Sequence, residues 1–275
     1  MANPKANEVT SEIQIIRFNQ GELRVCILGT SPLIMEAVSD KARRELLCPR
    51  GRLNSAERAG RLKHNPLDEY RASVYVTSDP AAKTRLAFPS AAFKKAAASA
   101  ALDIPGAAKT QIGRLLWAVG DRVELFGVPK MVSTIVRSSD MAHTPDVRTR
   151  AILPEWACNL TFRFMMPLLR ETAVANLLGA AGVIRGVGGW RQEKGSGSYG
   201  QFALASADDA DFVRICQSGT RAAQDAALAN PEYYDDETEK LFTWFASEVE
   251  RRGSASGNGQ PANKKRTSVT PEVSA

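Results

Sequence analysis

The chain has 275 residues, 44% of them hydrophobic and 24% charged, with a formal net charge of +6. That size suits one large domain or two small ones with a substantial core, and the basic balance favours a polyanionic partner. The four cysteines, Cys26, Cys48, Cys158 and Cys216, are scattered without a CxxC or Cys/His cluster, which argues against a zinc site and a disulfide framework.

The thiols therefore read as reduced cysteines of a cytoplasmic protein. The N-terminal MANPKANEVTSE has no apolar h-region, and no apolar run reaches membrane-spanning length, so no membrane partner is expected. Residues 1–11 read as a flexible polar tail. The apolar, β-branched segments Glu12 to Phe18 and Gly21 to Leu28 read as strand, ended by Gly29-Thr30-Ser31-Pro32. A helix, DKARRELL, follows, capped by Ser39 or Asp40 and stopped by Pro49 and Gly51. From Lys41 to Lys63 the chain is markedly basic: Lys41, Arg43, Arg44, Arg50, Arg52, Arg58, Arg61 and Lys63 face only Glu45 and Glu57. Such a run is either a solvated face or a phosphate clamp, and the arginine excess suits the clamp.

Pro66 to Val76, PLDEYRASVYV, reads as strand. SAAFKKAAASAAL reads as a helix capped by Ser90, with Lys94 and Lys95 in its middle. Leu115 to Phe126 holds strand pieces around Gly120-Asp121, which suit a hairpin turn. Val132 to Val136 is β-prone. Residues 138–150 are polar and end in Arg148 and Arg150, which share one face if extended. In ACNLTFRF the alternation of Leu160, Phe162 and Phe164 predicts a strand, and Thr172 to Ala181 predicts an amphipathic helix. Then comes a glycine-dense stretch, IRGVGGWRQEKGSGSYGQFAL, with Gly186, Gly188, Gly189, Gly195, Gly197 and Gly200 interleaved with Arg185, Trp190, Arg191, Lys194 and Tyr199. Backbone amides, cations and flat rings suit a phosphate backbone with exposed bases; the alternative is a long hairpin loop with anchoring side chains. Phe202 to Leu204 continues as strand. Asp235 to Glu250 is acidic, with Leu241, Trp244, Phe245 and Val249 near one helical face, and residues 253–275 read as a disordered tail.

Taken together, ILGTSPLIME, SDKARRELL, FPSAAFKKAAASAA, RTRAILPEWACNLTFRF and LLGAAGVIRGVGGWRQEKGSGSYGQFAL resemble the RAMP superfamily, the ferredoxin-like RNA-binding proteins of CRISPR systems and their phage-carried relatives. The nearest branch is that of the backbone subunits of Cascade-type complexes. The resemblance implies an α+β fold: a modified RRM/ferredoxin-like antiparallel sheet, βαββαβ, with helices on one face and inserted hairpins. The resemblance spans roughly residues 12–205 within a RAMP-like core taken as 12–231, and the acidic C-terminal helix over 232–252 and the tail lie outside it. It also implies nucleic-acid contacts from Lys41, Arg43, Arg44, Arg50, Arg148, Arg150, Arg185, Trp190, Arg191, Lys194 and Tyr199, with the glycine loop beneath them. The expected activity is non-catalytic binding of single-stranded RNA, as guide RNA, or of single-stranded DNA. Head-to-tail homo-oligomerisation along the strand is expected, alone or with other subunits of a ribonucleoprotein, and no cofactor or metal is implied.

Other chemistry is weighed on the residues. GVGGWRQEKGSG has neither the order of a nucleotide P-loop nor that of a dinucleotide fingerprint. His64 and His143 are the only histidines open to acid–base cleavage of RNA, and Asp140 or Asp146 the acidic loop residues open to metal-dependent cleavage. The alternatives to a guide-RNA binder are therefore a phage single-stranded-DNA binding or annealing protein and a histidine-dependent endoribonuclease.

Overall fold

The computed structural model describes residues 17–38, 47, 64–137, 145–194 and 197–257. In chain order the described strands are β1 (Asn19–Gly29), β2 (Leu33–Ile34), β3 (Tyr75–Val76), β4 (Leu86–Pro89), β5 (Leu116–Ala118), β6 (Arg122–Phe126), β7 (Lys130–Arg137), β8 (Pro145–Leu153), β9 (Ala157–Met166) and β10 (Phe202–Ala205). The described α-helices are α1 (Pro66–Ala72), α2 (Ser90–Ala100), α3 (Lys109–Leu115), α4 (Glu171–Ile184), α5 (Ala210–Ser218), α6 (Arg221–Ala229) and α7 (Asp236–Gly257).

The main antiparallel sheet runs β10-β1-β9-β6-β4-β3, with β5 also paired to β9. Taking β1, α2, β6, β9, α4 and β10 alone, the connectivity is βαββαβ and the strand order 4-1-3-2, which makes this α+β chain ferredoxin-like. The long pairing of β1 with β9, from Asn19↔Met166 to Leu28↔Ala157, sets the register. It aligns Leu23, Val25 and Ile27 with Leu160, Phe162 and Phe164 on one face, because side chains alternate along a strand. That face takes α2 and α4. Alanines 96, 97 and 100 of α2 are buried and let the helices come close, so that Phe93 meets Phe202 edge-on at 5.5 Å between ring centroids. On the opposite face α5 covers only one end, where Phe212 and Ile215 pack on Phe126, Ala157, Cys26 and Leu28.

A second sheet, β2-β8-β7, combines β2 with a β7–β8 hairpin inserted between β6 and β9. Its register, from Lys130↔Ile152 to Arg137↔Pro145, is regular throughout. Val132, Arg150, Arg148 and Asp146 fall on one face and Ser133 and Thr149 on the other.

Several sequence expectations need correcting. PLDEYRA is helix α1 rather than strand: the Asn65 side chain accepts from Asp68 N–H, Pro66 opens the first turn and Asp68 and Glu69 follow. Only Tyr75–Val76 of that stretch is strand. Ser90 is the first helical residue instead of the cap, and its hydroxyl donates to the Gly120 carbonyl. Gly120-Asp121 does not close a hairpin, since β5 and β6 on either side each pair with β9. In α7 it is Phe242, packed on Tyr233, that faces the core, whereas Trp244 is 61% exposed. The helices α5 and α6 carried no clear expectation. Residues 1–11, the tail beyond 257, Cys48 and most of the basic segment 39–63 lie outside the described residues.

Candidate nucleic-acid interface

Beyond α4 the chain turns sharply and lies across β2. Arg185 N–H and Gly186 N–H both donate to the Ala181 carbonyl, at 3.0 and 2.9 Å. Gly186, Gly188 and Gly200 then adopt φ of +65°, +84° and +72°, a region that side chains resist. Val187 N–H donates to Gly200 O, Gly189 N–H to Ile34 O and Gly200 N–H to Pro32 O, all within 2.8 to 2.9 Å. A Cβ on Gly200 would collide with the Val187 carbonyl, and one on Gly197 with the Trp190 carbonyl. These glycines therefore serve a loop that folds back on itself and on β2. Gly189 faces Ile34 and the Glu36 carboxylate, and Gly195 lies outside the described residues.

The cations of the loop are mostly tied down. Arg191 grips Glu193 through Nε and Nη2, at 2.9 and 2.7 Å, and reaches the Gly188 carbonyl at 3.1 Å. Glu193 also accepts from Ser99 of α2 at 2.7 Å. Burial pushes the Glu193 carboxyl up, but the hydrogen bonds from Ser99 and Arg191, with the charges of Arg191 and Arg185, hold it below the usual carboxylate range. Arg185 pairs with Asp103 and is largely buried. Arg150 bonds Glu36 at 3.1 Å with its side chain 12% exposed, and burial lowers its pKa. Arg148, two residues earlier on the same face, is exposed and makes no ion pair among the described residues. For Lys194 only the backbone is described, in a 3₁₀ turn (Gln192–Lys194). Lys41, Arg43, Arg44 and Arg50 lie outside the described residues.

The two aromatic residues meet. Trp190, at φ +50°, stacks on Tyr199 with centroids 5.9 Å apart and an interplanar angle of 27°. Tyr199 packs on Ile34, Val132 and Ile152, the hairpin face that carries Arg150 and Arg148. Trp190 remains 39% exposed. The hairpin face thus presents an anchored ring pair and, four residues along β8 from Ile152, an exposed arginine. An open cleft of about 700 Å³ lies between the loop, α2 and α3, with Lys95 and Lys109 among its lining residues. Sequence reasoning noted Lys95 only as a helix residue and missed Lys109; their convergence depends on how α2 and α3 pack.

His64 sits at the edge of β8, with Nδ1 2.7 Å from Glu69 Oε1 and Nε2 3.1 Å from Asp146 Oδ1. Both ring nitrogens are engaged by carboxylates. His143 and Asp140 lie outside the described residues. Among the described residues, no group of three or more His, Cys, Asp or Glu is placed to hold a metal ion, and no helix is long and apolar enough to cross a membrane.

Compared with known proteins, the sequence matches no family model and no curated protein. Among solved structures it is similar to a chain of the Type III-B Cmr-beta complex bound to cognate target RNA, with a TM-score of 0.34 and 12% identity. The similarity covers 68% of this chain and 59% of that one.

Proposed function

We propose that this chain is a non-catalytic binder of single-stranded nucleic acid, with RNA as its natural ligand, and that it assembles along the strand with further copies or with other subunits of a ribonucleoprotein. The observation that carries this reading is the shared surface of the Trp190–Tyr199 stack and Arg148 on the inserted hairpin. A ring held by a second ring is a stacking platform already ordered before a base arrives, and a guanidinium further along the same face neutralises a phosphate of the same strand. The sequence resemblance to RAMP proteins supports RNA over DNA, and the engagement of both His64 nitrogens supports binding without cleavage.

Fluorescence anisotropy with a labelled oligonucleotide at several salt concentrations tests the reading. Trp190→Ala is expected to cost about 1–3 kcal/mol of binding. Arg148→Gln should flatten the slope of log affinity against log salt by about 0.7, the share of one single-strand phosphate. Competition between RNA and DNA of one sequence reports the 2′-hydroxyl preference. No binding at low ionic strength removes the reading, and RNA cut with or without magnesium replaces it with a nuclease.

A further inference from the structure

We propose that His64 is a positioning residue for the strand-binding face: its charged ring fastens the outer end of β8 to α1, so that nucleic-acid binding weakens as pH rises. This names a regulation of the surface proposed above, and it rests on that reading for its affinity readout only.

β8 pairs with β7 along its whole length but with β2 only at Ile152 and Leu153. Beyond β2 the same edge is closed by side chains of the α1 segment. Ala151 N–H donates to Ser73 Oγ at 2.8 Å, and Thr149 N–H points to Glu69 Oε2 at 3.5 Å. His64 is the last rung, with Nε2 3.1 Å from Asp146 Oδ1. Its place is set by the helix start: it precedes the Asn65 cap, and a residue there meets the fourth residue of the helix, here Glu69. The 2.7 Å contact of Nδ1 with Glu69 Oε1 then fixes the ring.

The partners decide what the ring has to carry. A carboxylate only accepts, and a neutral imidazole has a single N–H. Carboxylates at hydrogen-bond distance from Nδ1 and Nε2 are therefore both satisfied only by the imidazolium. When one proton leaves, a lone pair faces a carboxylate, and the longer contact, to Asp146, is the one that opens. None of the three side chains is more than 32% exposed, so solvent screens that repulsion poorly.

Among the described residues, the charged groups at this edge are Glu69 on α1 and Asp146 and Arg148 on β8. Asp68 is held by Asn65 at 2.6 Å, and β7 sets Val136 and Thr134, which do not titrate, opposite Asp146 and Arg148. Asp146 and Arg148 share a face of β8, about 7 Å apart. Held by the imidazolium, the Asp146 carboxylate is neutralised; released, it competes with phosphate for the Arg148 guanidinium.

Two measurements test this. In the free chain, nitrogen NMR should show both His64 ring nitrogens protonated at about pH 5.5 and one at about pH 8. Protection factors of the amides within 146–149, corrected for intrinsic exchange, should fall over the same span. By anisotropy, affinity for a labelled RNA should drop about threefold or more across it. His143→Gln, which removes the other histidine, should leave that drop in place. Asp146→Asn can accept from one ring form or donate to the other, so it should flatten both profiles while keeping the protection seen at low pH. A ring that holds one protonation state throughout, or profiles unchanged by Asp146→Asn, overturns the proposal. So does RNA binding indifferent to pH while the ring titrates, which leaves the strand-binding reading intact. No RNA binding at any pH removes that reading, and the free-chain profiles then decide the latch by themselves.

Discussion

Gly200 and Gly106 have nearly the same backbone, with φ of +72° and +79°, yet opposite surroundings. A Cβ at Gly106 meets nothing within 4 Å, whereas one at Gly200 runs into the Val187 backbone. Gly106→Ala should therefore cost only the left-handed strain, about 1–2 kcal/mol. Gly200→Ala adds the displacement of the loop and should cost at least about 3 kcal/mol, a fall in melting temperature of about 6–12 °C. Comparing the two melting curves isolates the contact from the strain. Glu193 gives the same loop a pH response. Its folded pKa is depressed, so the stabilisation it contributes is fully present above the ordinary carboxylate range and is lost as pH falls through the lowered value. Protection factors of the amides within 186–193, corrected for the intrinsic pH dependence of exchange, should fall on acidification through that range, and Glu193→Gln should remove the fall. The sequence shows these glycines and arginines plainly. Their division of labour is hidden, because Arg148 and Arg150 look alike on paper and differ only in how deeply the hairpin buries each.

At the scale of elements, one buried side chain ties α6 to the sheet edge most directly. Gln224 is fully buried; its Oε1 accepts from Arg85 and Leu86 N–H at 2.7 and 2.8 Å, and its Nε2 donates to the Leu125, Gly127 and Gly219 carbonyls. It satisfies backbone groups at the ends of β4 and β6 that no neighbouring strand reaches. Gln224→Leu should cost at least about 3 kcal/mol by leaving buried amides and carbonyls unpaired, while Gln217→Leu on exposed α5 surface should change the melting temperature little. Nothing in RAAQDAALA announces this, since a lone glutamine among alanines reads as surface helix. In contrast, β9 was legible because Leu160, Phe162 and Phe164 alternate against polar neighbours, and β1 because its apolar density is strand-like. Helix α1 was misread because PLDEYRA and the strand after it share one run of mixed polarity, and the Asn65 cap decides between them.

For the molecule as a whole, many of the strands and helices were readable, α1, α5 and α6 excepted, but which strands become neighbours was not. That depends on β1 accepting β9 on one side and β10 on the other. It also depends on the hairpin forming a second sheet with β2, which puts the stacked rings and Arg148 on one face. The central position of β1 governs how the chain is made. Residues 19–29 leave the ribosome before their partners, which begin only at Ala157 and Phe202. Until those arrive, the nascent strand offers both flanks to any other extended chain. A fragment ending at residue 200 should therefore aggregate in a refolding assay, by light scattering, under conditions that return the full chain to solution. The two flanks of β1 are thus closed only by segments made more than a hundred residues later.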